Sequence, residues 1–312
     1  MDAGIEIKSG NSVLILGGSG FIGTNLAEYL VGMQYSVICV SRSIPHPEKQ
    51  KGDGITYFAA DLADADSYAS LLDKVGHVIY LASATTPSTS IANPQFDVEE
   101  NLLPFLNFLR LNATRRLPVV FASSGGTIYG QPQYLPIDEA HPTDPISPYG
   151  IVKLSMEKYL GYFGDRYGFR YTILRISNPY GGRHHRRNDQ GVIDVFAKKI
   201  AHGEELVIWG NGSIVRDYVH ILDVCRSFLC AILYTGTSTV FNIGAGEGRS
   251  ILDIIDALSV HLAQPPKLRF EEGRSYDIAK NVLDISHARS ELGWQPVSDF
   301  GAGLAETLRN VK

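Results

Sequence analysis

The sequence predicts an α/β protein built on a doubly wound parallel sheet, with a smaller α/β substrate domain beside it. Three observations predict this. Unbroken apolar runs alternate with helical patterns through the first half of the chain, as expected of strands covered on both faces. A glycine-rich turn follows the first apolar run and opens a helix, the Rossmann-type arrangement for a dinucleotide. After about residue 178 the rhythm breaks into glycines, arginines and short strands.

Strand one is VLILG, 13–17, and Phe21, Leu26 and Leu30 recur after it at helical spacing. VICVS (37–41), ITYFAAD (55–61) and HVIYLAS (77–83) are strands two to four. A helix carrying Phe105, Leu106 and Leu109 leads into strand five, LPVVFASS (117–124). Ser147 and Pro148 mark a helix start, and Tyr159, Leu160 and Phe163 continue that helix to strand six, YTILRIS (171–177). LVIWGNG (206–212) and VFNIGAG (240–246) are short strands of the later part. The expected division is a dinucleotide-binding domain of 1–177 plus about 213–245, and a second domain of 178–212 and 246–312, with a ligand cleft between them.

With 312 residues, 44% of them hydrophobic, the chain has ample material for a core. Its net charge of −5 argues against a nucleic-acid binder. Cys39, Cys225 and Cys230 are too few and too apolar in setting for a disulfide framework, so they read as reduced, buried thiols. There is no apolar run of the roughly 18 residues a membrane span needs. MDAGIEIKSG lacks the basic start and apolar core of a signal peptide, so a cytoplasmic protein is expected.

GGSGFIG (17–23) places Gly17, Gly20, Phe21, Ile22 and Gly23 at the strand–helix junction. Glycines there let a pyrophosphate approach the helix N-terminus, whose amides and dipole favour anions. Strand two ends Ser41-Arg42, where an acid would ordinarily hold the adenine ribose of NAD. An arginine there is placed to pair with a 2′-phosphate, which tilts the reading toward NADP. Asp61-Leu62, after strand three, is the matching candidate for the adenine edge.

SPYGIVK (147–153) puts Tyr149 and Lys153 one turn apart on a helix face. With 16 tyrosines and 11 lysines the spacing is unremarkable, and Tyr276 and Lys280 repeat it. Context decides between them. The chain resembles the extended short-chain dehydrogenases/reductases, and among them the nucleotide-sugar epimerases related to UDP-galactose 4-epimerase. The resemblance rests on GGSGFIG (17–23), YLAS (80–83), NLLPFL (101–106), SSGGTIYG (123–130), SPYGIVK (147–153), NPYG (178–181), GNGSIVRDYVH (210–220), FNIGAG (241–246), RSYD (274–277) and ELGW (291–294), in that order along almost the whole chain.

The resemblance implies that Tyr149 is the catalytic base, its phenolate favoured by Lys153 and by an oxidised nicotinamide. Hydride leaves the sugar C4, a 4-ketosugar turns over, and hydride returns to the other face. It implies tightly bound NAD, with Leu81, Ala82, Ser83 and Asn101 beside the cofactor, and Lys153 on the nicotinamide ribose. It implies a UDP-sugar substrate held by Asn178, Arg216, Arg274 and Asp277, with Asn281 against the sugar. The family's Ser or Thr four residues before the tyrosine of its VYG-like segment is Gly125 here. Thr127, placed by an extended backbone on the same side, is the first candidate to replace it, and Ser124 the second. Helices 94–111 and 148–167 carry surplus apolar residues, and related enzymes pair through them, so a homodimer is expected. The basic loop 182–189 is read as a cover for substrate phosphates or a sugar carboxylate, or as a solvated loop. His184 and His185 stand without cysteines, and no metal is expected. An NADPH-dependent 4-ketoreductase of a nucleotide 4-keto-6-deoxysugar is the alternative, favoured by Ser41-Arg42. A non-catalytic cofactor sensor is the alternative of another class. The pathway implied is polysaccharide biosynthesis.

Overall fold

The computed structural model describes residues 11–44, 54–182, 191–273 and 278–309. The chain runs β1 (Ser12–Leu16), α1 (Phe21–Gly32), β2 (Ser36–Ser41), β3 (Ile55–Ala59), β4 (His77–Tyr80), α2 (Pro87–Ala92), α3 (Pro94–Asp97), a π-helical turn (Val98–Leu102), α4 (Leu103–Arg115), β5 (Val119–Ser124), α5 (Pro148–Tyr167) and β6 (Tyr171–Ile176). It continues with β7 (Asn178–Tyr180), α6 (Val192–Ala201), β8 (Glu205–Trp209), β9 (Val215–His220), α7 (Ile221–Leu233), β10 (Val240–Ile243), β11 (Gly248–Ser250), α8 (Ile251–Leu262), β12 (Lys267–Glu271), β13 (Lys280–Asn281), α9 (Ser286–Ser290) and α10 (Phe300–Leu308).

Seven strands form one parallel sheet in the order β10-β6-β5-β4-β1-β2-β3. All five residues of β1 are fully buried, because α1 and α7 cover one face and α4 and α5 the other. This is why β1 reads as an unbroken apolar run rather than an alternating one. The chain leaves β1 toward β2 and β3, then crosses to β4 on the other side. That reversal opens a crevice between the C-terminal ends of β1 and β4, the place where open α/β sheets bind ligands.

Two smaller sheets follow. β9 pairs with β7, β11 and β13, while β8 pairs with β12. Asp217 in β9 ties these to the large sheet. Its fully buried carboxylate accepts from Ala245 N at 2.6 Å, Gly246 N at 3.2 Å, Ser177 Oγ at 3.2 Å and Leu283 N at 3.3 Å. Burial still pushes its pKa up to about 6, against the pull of those four donors.

The helix expected over 94–111 is interrupted. Pro104 has no N–H for the carbonyl of Glu100 four residues back, and a π turn occupies Val98–Leu102 just before it. The helix expected from Pro148 starts there, with the Ser147 hydroxyl accepting from Gly150 N at 3.2 Å. It ends at Gly168, whose φ of 73° suits a residue without a side chain.

Candidate active site

The site is a groove along the C-terminal edge of β1, β2, β3 and β4. At one end lies the glycine turn. Gly17 N donates to Val40 O at 2.8 Å, and Ser19 N donates to Ser41 Oγ at 2.9 Å, so Ser41 shapes the turn. Gly17 has φ 95°, and a Cβ on it would lie 2.7 Å from Ala82 N. A Cβ on Gly23 would lie 2.5 Å from Gly17 O, so the turn packs flat only with glycines. No side chain caps α1 and no acid stands in its first turn, which leaves its positive end to an external anion. Gly17, Gly20, Ser41, Asp61, Leu62, Leu81, Ala82 and Ser83 all line this groove, and the cradle fits a dinucleotide pyrophosphate. Phe21 and Ile22 open α1, partly buried against the core. Asp61 caps its own turn, accepting from Ala63 N at 3.0 Å.

Arg42 lines the same groove, but its guanidinium donates to Glu100 Oε2 at 3.1 Å. Glu100 comes from the π turn, far from β2 in sequence, and nothing in the local sequence of β2 signals it.

Asn101, next on that turn, is buried. Its Oδ1 accepts from Ala84 N at 2.7 Å, and its Nδ2 donates to Thr85 Oγ1 at 3.0 Å and Asp97 Oδ1 at 2.5 Å. It therefore braces the loop after β4 rather than facing the groove directly. Asp97 is fully buried, and its Oδ2 has no hydrogen-bond partner among the described residues.

Tyr149 and Lys153 come together on the first turns of α5, with Tyr149 beside Ser83 of the groove. Tyr149 N donates to Ser90 Oγ at 3.1 Å, fixing the helix start on α2. Lys153 is buried. Its Nζ donates to Ala122 O at 3.0 Å and lies 5.8 Å from the centre of the Tyr149 ring. Burial brings the lysine pKa down to about 8, while Asp97 and Glu157 pull it back up. Burial pushes the tyrosine up to about 12. Ser83 beside it, whose hydroxyl donates to Thr85 O at 3.1 Å, works against that rise, and the charge of Asp97 adds to it. Ser83 therefore acts on the Tyr149 phenol as well as lining the groove.

The turn after β5 departs from expectation. Residues 125–127 are not extended: Thr127 N and Ile128 N both turn back to Ser124 O, at 3.4 and 3.3 Å. The alternation argument for Thr127 therefore fails. Its hydroxyl is nevertheless buried and has no hydrogen-bond partner among the described residues. Ser124 ends β5, and Ser123 turns the other way to donate to Glu157, which in turn pairs with Arg175 Nη2 at 2.8 Å. Gly125 has no room for the family's hydroxyl. A Cβ there would lie 2.6 Å from Leu283 Cδ1 and 2.9 Å from Arg175 O.

Asn281 is buried against this turn, with Nδ2 donating to Gly125 O at 3.2 Å and Oδ1 unpartnered among the described residues. Asn178 Nδ2 donates to Asp217 O at 2.9 Å, and Arg216 Nη1 to Ile278 O at 2.6 Å, so both are anchored in the β9 sheet. Arg274, Asp277 and Tyr276 lie outside the described residues, as does the basic loop beyond Gly182. Among the described residues, three or more metal-ligating side chains nowhere cluster, and no helix is long and apolar enough to cross a membrane.

Known proteins match this arrangement along nearly its full length. A putative UDP-glucose 4-epimerase of Methanocaldococcus jannaschii is 32% identical over 302 residues, covering 96% of this chain and 98% of its own. A dTDP-4-dehydro-6-deoxyglucose reductase of Escherichia coli is 29% identical over 310 residues, covering 97% and 98%. The crystal structure of Thermus thermophilus UDP-glucose 4-epimerase in complex with NAD superposes with a TM-score of 0.88 at 29% identity, covering 96% and 98%. The family model described as "NAD dependent epimerase/dehydratase family" matches residues 13–244, from β1 past the end of β10. With its switch-point groove, glycine turn and Tyr149–Lys153 pair, the chain belongs to the NAD dependent epimerase/dehydratase family.

Proposed function

We propose that the protein is a UDP-hexose 4-epimerase that works through a 4-keto intermediate with NAD held in the groove. The observation that carries this reading is the convergence of Tyr149 and Lys153 on the first turns of α5, beside Ser83 of the groove that holds the glycine turn. Bound NAD would supply a hydride acceptor at C4 of the sugar and return the hydride later. Tyr149 takes the proton of the 4-hydroxyl and gives it back. Lys153 lowers the cost of the phenolate through its charge and orients the nicotinamide ribose. The unpartnered hydroxyl of Thr127 is the first candidate donor to the sugar oxygen, with Ser124 second. Asn178, Arg216, Arg274, Asp277 and Asn281 are assigned to the nucleotide sugar, with Arg216 suited to the diphosphate.

The domain division follows the same logic: 1–177 with about 213–245 for the dinucleotide, 178–212 with 246–312 for the nucleotide sugar. A homodimer through the helical stretch 94–111 and α5 completes the reading. It is supported by Ile151, Tyr159 and Tyr162, which are exposed along α5.

The test is to denature the purified protein and identify any released nicotinamide cofactor. The native protein is then incubated with UDP-glucose, UDP-N-acetylglucosamine and UDP-glucuronate without added cofactor. Conversion to a 4-epimer with no net change in reduced cofactor is expected. The ketoreductase reading is favoured by Arg42 at the end of β2 and by the similar reductase. It predicts no conversion and consumption of NADPH with a 4-keto-6-deoxysugar nucleotide.

A further inference from the structure

The arginine that ends β2 is already spoken for. Arg42 is the residue a 2′-phosphate would need, and its guanidinium is held by Glu100 at 3.1 Å across the mouth of the groove. The two side chains are 55% and 33% exposed, so the pair is wet and its own stabilisation is small. Its importance is positional. Glu100 and Arg42 both line the groove that holds the glycine turn, together with Asp61. Glu100 reaches it because the π turn at Val98–Leu102 shifts the helix register just before Pro104. The neighbouring Asn101 anchors that turn from beneath, on Ala84, Thr85 and Asp97. Glu100 is therefore presented by a braced backbone.

We propose that Glu100 sets the cofactor choice: it supplies from the helix the carboxylate missing at the end of β2, occupies Arg42, and turns the adenosine end of the groove against NADP. A 2′-phosphate entering here would have to displace Glu100 from Arg42 and sit beside its carboxylate, and a like charge in a binding site costs affinity. A ribose diol meets a carboxylate acceptor without that conflict. The inference rests on the reading of the groove as a nicotinamide dinucleotide site.

The test measures binding as well as turnover. Cofactor released on denaturation is identified for the wild-type chain, and the cofactor-depleted chain is titrated with NAD+ and NADP+ by calorimetry. The variants are Glu100→Gln, Arg42→Ala and the two combined. Wild type is expected to carry NAD. Glu100→Gln keeps the side-chain shape and should shift the affinity ratio toward NADP+ by roughly tenfold, less at high salt. Adding Arg42→Ala should cancel that shift. Wild type that prefers NADP+, or a ratio untouched by Glu100→Gln while NAD+ still binds, overturns the proposal alone. Failure of wild type to bind either cofactor overturns the dinucleotide reading and the proposal with it.

Discussion

The ammonium of Lys153 lies 3.0 Å from the carbonyl oxygen of Ala122, the residue just before the serines that end β5. That bond holds a buried charge in place at a cost. Burial brings the lysine from its usual 10.5 to about 8, so the folded chain favours the neutral amine. Stability from this group is full above 10.5 and is lost as pH falls through about 8. At pH 7 the penalty amounts to about 3 kcal/mol. Lys153→Met removes it and forfeits one hydrogen bond. The ligand-free variant should be more stable by about 2 kcal/mol at pH 7, with the advantage gone near pH 10, while turnover falls by at least about 100-fold. Urea midpoints across pH, read beside turnover, check both halves.

Tyr149 titrates in the opposite direction from what a base needs, and Ser83 is the neighbour that pulls it back. Ser83→Ala should raise the phenol pKa further. Less phenolate then forms at neutral pH, so kcat/KM at pH 7 drops about three- to tenfold and recovers as pH rises. Tyr149→Phe should abolish turnover while cofactor remains bound. A Ser83→Ala pH–rate profile that overlays the wild type would remove Ser83 from this role.

Restoring the family's hydroxyl at Gly125 should not help. Leu283 is fully buried and the Arg175 oxygen is backbone, so neither yields to a Cβ at 2.6 and 2.9 Å. Gly125→Ser should lose about 1–3 kcal/mol in chemical unfolding and gain no activity.

Thr127 invites a contrast between stability and rate. Its hydroxyl is buried and unpartnered among the described residues. Thr127→Val keeps the shape, so the ligand-free protein should gain about 1 kcal/mol while kcat/KM falls about 10- to 100-fold. A variant equally active and unchanged in stability would transfer the role to Ser124.

The exposed face of α5 predicts the assembly. Tyr162 is 60% exposed and Ile151 52%. Light scattering should give twice the chain mass of 34.2 kDa, and Tyr162→Glu should shift it toward the single-chain value.

The parallel sheet was legible because burial on both faces writes itself as unbroken apolar runs, as in VLILG. The Ser147-Pro148 start was legible because its capping is local. What the sequence hid was long-range or register-dependent. Glu100 meets Arg42 58 positions away, and only the π turn aims it there. Ser83 reads as a cofactor contact because YLAS belongs to the motifs that carry the resemblance. Its approach to Tyr149 depends on how α5 seats against α2. The placing of Thr127 assumes an extended backbone that the chain abandons at Gly125, where Leu283 and the Arg175 carbonyl leave no space for a side chain at that position.

The knot at Asp217 has a consequence for how the protein comes off the ribosome. One carboxylate joins Ser177, Ala245, Gly246 and Leu283, and Leu283 also walls the catalytic turn at Gly125. Strands β1 to β6 and every residue lining the cofactor groove are made by residue 176, yet the wall of the catalytic turn is not. For the time taken to translate the next hundred or so residues, at about 5–20 per second, the nascent chain carries six of the seven sheet strands and an unwalled catalytic turn. Synthesis order thus leaves the catalytic turn without its wall until Leu283 has been added.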